Sequence, residues 1–174
     1  PEAKLSMAAL MSSLEYDIGV DPGARNTAVA ASDDRVFLPC VLDLGPLHTT
    51  TDAQVVDTLC SSLWFVFSDP NLRRVIVEAQ PASLWAEKPP KISARNFLVQ
   101  GALQSMAHAW NKEFVLVTPM AWKRFYNDGK WDKMSYEENK AWSVKKAVEL
   151  FGEEYARRAH HACEAKLLAR LKSA

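Results

Sequence analysis

Net charge is the first thing this chain lacks: 21 Lys and Arg stand against 21 Asp and Glu. A balance of zero argues against an indiscriminate polycation that coats nucleic acid by charge alone. Cysteine is also scarce. Cys40, Cys60 and Cys163 are odd in number, far apart and outside any metal-ligand spacing, which argues against a disulfide framework and predicts free thiols packed in an intracellular, reducing compartment. No apolar run approaches the roughly 18 residues of a bilayer span, so a transmembrane segment is not expected. Residues 1–14 carry neither a convincing secretory nor a transit signal. They read as an N-terminal arm ahead of a single domain over residues 15–174, a length that buries a core without disulfides or a structural metal. Internal repeats and low-complexity tracts are absent.

The zero total conceals segregation. Residues 1–84 hold 5 Lys and Arg against 11 Asp and Glu, whereas residues 85–146 hold 11 against 6. Such a division arises by chance on solvated helix faces, but it also suits a nucleic-acid enzyme that sets a carboxylate site beside a basic surface.

Three short β-like runs come first: Tyr16 to Asp21, Asn26 to Ser32 and Val36 to Leu42, with Asp33-Asp34 as a hairpin turn. Thr51 or Asp52 caps a predicted helix to about Phe67 with Val55, Val56, Leu59, Leu63 and Val66 on its apolar stripe. The run "RRVIVEAQ" is continuously apolar at Val75, Ile76 and Val77, the pattern of a central strand covered on both faces. Pro81 to Lys91 is expected to be a loop, followed by a helix from Ser93 to Trp110 and a strand from Glu113 to Val117. Thr118-Pro119 starts a short helix to Tyr126, Ser135 with Glu138 forms a capping box for a helix to Phe151, and a last helix covers Glu153 to Lys172. A three-strand meander followed by alternating helix and strand predicts an α/β fold: a five-stranded mixed sheet with helices on both faces. The RNase H-like fold has this succession.

Three segments carry candidate chemistry. Asp21 ends the strand "YDIGVD" and is followed at once by Pro22-Gly23, so its carboxylate emerges at the sheet edge; Asp-Pro-Gly by itself reads equally well as a turn. Glu78 ends "VIVE" in the same way, and a charge in so apolar a setting must be paired or bound. With the first and fourth strands adjacent and parallel, these two acids would emerge side by side and repel unless a cation lies between them. Gln80 would be a neutral neighbour. In "HHACEAKLLARL", His161 and Glu164 are three apart and share a helix face, opposite a packing side of Ala165, Leu167 and Leu168. Three acids and a histidine could hold two Mg²⁺ or Mn²⁺ ions about 4 Å apart for phosphodiester hydrolysis.

The stretches "GVDPGARNTAVA", "VIVEAQ", "ISARNFLVQGALQSM", "VTPMAWKRF", "NKAWSVKKAVELFG" and "HHACEAKLLA" together resemble the RuvC-type Holliday-junction resolvases, in their order and over nearly all of residues 16–172. The "ISARNFLVQGAL" region looks closer to mitochondrial and poxviral members, and "CEAKLLA" to phage versions. The resemblance implies a homodimer that binds four-way DNA junctions and nicks two opposed strands with Mg²⁺ or Mn²⁺. It implies a catalytic and metal-holding set of Asp21, Glu78, His161 and Glu164, with Gln80, Asn26 and His160 in support. Many members have two aspartates where this chain has His161 and Glu164, which leaves open whether His160 or His161 serves. The cytoplasm, a viral factory or an organelle matrix would suit such an enzyme.

Lys88, Lys91, Arg95, Lys123, Arg124, Lys130 and Lys133, and further on Lys140, Lys145 and Lys146, could neutralise DNA phosphates or simply be solvated. Trp85 could stack on an unpaired base at the junction centre or pack its loop. The Ser93–Trp110 helix, with Phe97, Leu98, Gly101, Ala102 and Ala109, is a candidate for part of the dimer interface. Two other functions are compatible with the sequence: an RNase H-like nuclease acting on another branched or RNA-containing substrate, and a catalytically silent junction-binding protein.

Overall fold

Five strands, β1 (Tyr16–Asp21), β2 (Asn26–Ala31), β3 (Cys40–Asp43), β4 (Leu72–Glu78) and β5 (Glu113–Val117), form one sheet in the order β3-β2-β1-β4-β5. β1, β2 and β3 pair antiparallel as a meander, while β4 runs parallel to both β1 and β5. The computed structural model describes residues 15–33, 39–80, 90–127, 129, 135–158 and 162–171. Its helices are α1 (Asp52–Phe67), α2 (Pro90–Ala109), α3 (Pro119–Tyr126), α4 (Tyr136–Phe151), α5 (Glu153–Arg158) and α6 (Cys163–Ala169). Among the described residues no helix is long and apolar enough to cross a membrane.

The expected mixed sheet covered on both faces is what the chain forms. Helix starts follow local chemistry: Thr51 and Gln54 cap α1 reciprocally, Ser135 and Glu138 do the same for α4, and Thr118 caps α3 ahead of Pro119. Gly152 ends α4 at a φ of 88°, a conformation that side chains disfavour.

Three boundaries differ from expectation. Helix α2 includes Pro90 and Lys91, because a first-turn proline lacks only an N–H that would have had no helical partner; the rest of the expected loop lies outside the described residues. Strand β3 extends to Asp43, which pairs with Asn26, while residues 34–38 lie outside the description. The last helix is not continuous: α5 and α6 are separate, and residues 159–161 between them are not described.

The two faces of the sheet are set by the period-two alternation of strand side chains. Tyr16, Ile18 and Val20 of β1 and Val75 and Val77 of β4 pack into one core with Val55, Leu59, Leu63, Val66 and Phe67 of α1 and Val99, Leu103 and Met106 of α2. The opposite face carries Asp17, Gly19 and Asp21 on β1 and Arg74, Ile76 and Glu78 on β4. Asp17 pairs in register with Arg74, Gly19 with Ile76, and Asp21 and Glu78 each lie one residue past the Val20–Val77 pair. This face is covered by α6 and α3, with Ile76, Trp122, Leu167 and Leu168 as its buried core.

The first rung is a buried ion pair, with Arg74 Nη2 donating to Asp17 Oδ2 at 2.6 Å and to the Leu171 carbonyl at 2.9 Å. Burial pushes the Asp17 carboxyl up, but Arg73 and Arg74 outweigh it and hold the group below its ordinary value. A depressed carboxyl pKa stabilises the fold above the unfolded value of 3.8 and loses that contribution as pH falls through the folded value. Asp17→Asn, which strands the buried Arg74, should therefore lose about 3–5 kcal/mol in urea unfolding at pH 7. The gap between variant and wild type should narrow below about pH 4. A pH-independent gap would remove the ion pair as its cause.

Candidate active site

The third rung opens into a cleft of about 480 Å³ whose lining includes Asp21, Glu78, Glu164, Lys123, Asn139 and Lys140. Each acid arrives by a different route. Asp21 and Glu78 end β1 and β4, and Glu164 stands in the first turn of α6. Helix α6 reaches the sheet because β1 has glycine at position 19. A Cβ built there would collide with the Ala165 carbonyl and the Ala169 amide and lie 2.8 Å from Leu168 Cβ. Tyr126 Oη donates to the Leu167 carbonyl at 2.7 Å, fixing the helix from the α3 side.

The three carboxylates have unequal surroundings. Trp122 Nε1 donates to Glu78 Oε2 at 2.8 Å. Ser143 Oγ donates to Glu164 Oε1 at 2.9 Å, while Lys140 Nζ donates to Glu164 Oε2 and stands 3.8 Å from Asp21 Oδ2. Burial, then the charges of Glu78 and Glu164, push Asp21 up to about 8 against the pull of Lys140. Burial and Glu164 likewise raise Glu78. Burial acts on Glu164 too, but Lys140, Lys123 and Ser143 bring it below its ordinary value.

The Lys140 ammonium stands between Asp21 and Glu164, one strand-end acid and the acid of α6. Among the described residues no three His, Cys, Asp or Glu side chains are drawn together as a ready metal-holding group. The donors nevertheless suit a hard cation: all are carboxylate oxygens, and Asp21 bears a like-charge penalty that positive charge relieves.

A chain of amides holds the turn after Asp21. Gln80 Nε2 approaches the Pro22 carbonyl at 3.4 Å, and Asn96 Nδ2 donates to Gln80 Oε1 at 3.0 Å. A proline carbonyl only accepts, which sets the orientation of both amides. Asn26, exposed at the start of β2, also lines the cleft.

The other expected residues separate. Lys123 is buried at the cleft wall, with its ammonium 3.3 Å from Asn139 Oδ1. Lys91 and Arg124 are exposed, Lys91 beside a different depression near Thr50. Arg95 does not offer a free guanidinium to DNA. It is buried on the inner side of α2 and donates to the carbonyls of Gly45 and Thr50 at 3.3 and 2.6 Å. On the proposed interface helix, Leu98 and Ala102 pack against the core, whereas Gly101 and Ala109 are exposed. His160, His161, Trp85, Lys88, Lys130 and Lys133 lie outside the described residues.

Sequence reasoning did not single out Trp122, Asn96, Asn139 or Ser143, and it read Lys140 only as a phosphate contact or a solvated side chain. The one available signal was position: Trp122 precedes Lys123 inside "VTPMAWKRF", and Asn139-Lys140 opens "NKAWSV".

No protein-family model and no curated protein sequence matches the chain. The architecture, an α/β fold with a five-stranded mixed sheet, is shared by solved structures of two Holliday junction resolvases. Thermus thermophilus RuvC in complex with Holliday junction substrate superposes with a TM-score of 0.69 at 16% identity, covering 90% of this chain and 91% of that one. The yeast mitochondrial Holliday junction resolvase Ydc2 gives a TM-score of 0.59 at 14% identity, covering 92% and 80%. At these identities the likeness is one of fold.

Proposed function

We propose that this protein is a structure-selective DNA endonuclease that resolves four-way junctions by hydrolysis dependent on Mg²⁺ or Mn²⁺. The observation that carries this reading is the convergence of Asp21, Glu78 and Glu164 on one cleft, on a fold shared with proteins described as Holliday junction resolvases. Asp21, Glu78 and Glu164 would hold the ions, each through oxygen. Bound divalent ions would supply an activated water and charge stabilisation at the leaving oxygen: the water oxygen bonds to phosphorus, the ester bond to the leaving sugar oxygen breaks, and that oxygen leaves as a hydroxyl.

The remaining work falls to the chain itself. Lys123 and Lys140 set positive charge at the cleft to meet the scissile phosphate, and the Gln80–Asn96 pair steadies the Pro22 turn beneath Asp21. Cutting two opposed strands requires two clefts, and the described residues of one chain contain a single acidic cluster, which supports a homodimer.

The test is a labelled panel of four-way junction, duplex, flap and RNA–DNA hybrid incubated with either metal. Paired symmetric nicks confined to the junction are expected, and none in EDTA. Preferential cutting of the flap or hybrid would move the activity to another substrate, and tight junction binding without cleavage would make the protein a silent binder.

A further inference from the structure

The geometry points to Trp122 as a positioning residue that aims Glu78 at the cation. The inference rests on the metal-dependent reading above and adds to it a specific orienting group.

Trp122 has no exposed surface. It is clamped between Ile76, Leu167 and Leu168, with the Trp142 ring 6.1 Å away. It belongs to α3, whose start is fixed by the Thr118 cap. The indole N–H is therefore held still, whereas Glu78 is a long side chain at a strand end. An indole nitrogen is a donor only and carries no charge. It can fix Glu78 Oε2 without neutralising the carboxylate and without offering a competing ligand, which distinguishes it from Lys140 at Glu164. With Oε2 engaged at 2.8 Å and Glu78 lining the cleft, the carboxylate is held in one orientation while Oε1 remains to meet a cation. Groups that orient metal ligands in this way typically influence metal affinity or activity 10–100-fold.

A buried tryptophan also needs some acceptor for its N–H, so the test must separate aiming from packing. Mn²⁺ binding to the full-length protein is titrated calorimetrically with DNA absent. The proteins compared are wild type, Trp122→Phe, a variant carrying the isosteric benzothienylalanine at position 122, Trp142→Phe and Asp21→Asn. Benzothienylalanine keeps the ring volume and removes only the donor.

Weakening of Mn²⁺ binding by about 10-fold is expected in both position-122 variants. Trp142→Phe, which loosens the same cluster but keeps the Trp122 N–H, should bind Mn²⁺ within twofold of wild type. Junction binding in EDTA should be unchanged throughout. Should the isosteric variant bind Mn²⁺ as tightly as wild type, the positioning role is overturned, even if Trp122→Phe fails to fold. If Asp21→Asn binds Mn²⁺ normally, the metal site itself is misassigned; if Asp21→Asn loses binding and the isosteric variant does not, only the role of Trp122 falls.

Discussion

Asp21→Asn and Glu78→Gln should each reduce junction nicking by at least about 10³-fold, the scale on which charged groups acting in the transition state are felt. Junction binding in EDTA should persist. Both replacements are nearly isosteric, so packing is spared, and each removes one of the three carboxylates that would hold a divalent cation. The stability effect has the opposite sign. Asp21 is pushed up to about 8 by burial and by the charges of Glu78 and Glu164, so at neutral pH the metal-free fold is destabilised by the cost of burying this group, ionised or protonated, relative to the unfolded chain. Lys140 keeps Glu164 as a partner when Asp21 loses its charge. Asp21→Asn should therefore unfold at a higher temperature than wild type in EDTA, the trade of stability against function that an active site implies. Undiminished nicking would remove Asp21 from the site. A lower melting temperature would show that the carboxylate is structural.

Gly19→Ala should be the most disruptive glycine-to-alanine change in the chain. The added Cβ meets the backbone of α6 at Ala165 and Ala169, atoms that cannot rotate away as a flexible side chain would. Either β1 or the helix must shift, at about 3 kcal/mol, the upper range for overpacking. Ala165 is the neighbour of Glu164, so displacement of α6 moves the third carboxylate away from the other two. Loss of nicking should then exceed what unfolding explains: at a temperature where the variant remains folded by circular dichroism, its turnover should still fall by 10-fold or more, as misplacement by about 1 Å can cause. Gly101→Ala is the matched control for stability within one chain, because a Cβ there has nothing within 4 Å and the exposed helix position should gain a few tenths of a kcal/mol. Equal behaviour of the two variants would refute the close approach of α6 to β1.

The Lys140 ammonium bears on the charge balance of this cluster. Three acids at one sheet edge would oppose their own assembly. A tethered positive charge on α4, held by the Ser135–Glu138 cap at its helix start, offsets part of that repulsion. Ser143, one turn further along the same helix, orients Glu164.

Much of this was legible in the residues. Short apolar runs that end on a charge identified β1 and β4, and therefore the two acids at their ends, because an apolar run and the proline–glycine stop after Asp21 are local properties. Caps at Thr51, Thr118 and Ser135 were legible for the same reason. The break between α5 and α6 was not, since Glu153 to Lys172 has no strong local stop. Arg95 read as a DNA contact because a sequence records charge and not direction; its guanidinium turns inward to the Gly45 and Thr50 carbonyls. Trp122 and Ser143 escaped because a donor's partner 44 or 21 residues away is set by packing of helices on the sheet, which leaves no spacing to read.

The sequence by itself determined the strands and helices, the mixed sheet, and the placing of Asp21 and Glu78 at the same end of neighbouring strands, all of which follow from short-range steric and hydrophobic patterns. Tertiary structure alone decided that Gly19 admits α6, the close approach by which Glu164, already grouped with the other acids from the sequence, reaches them, and that Lys140 and Trp122 face the site. Those relations depend on the distance between packed surfaces, and a methyl group at Gly19 is enough to change it.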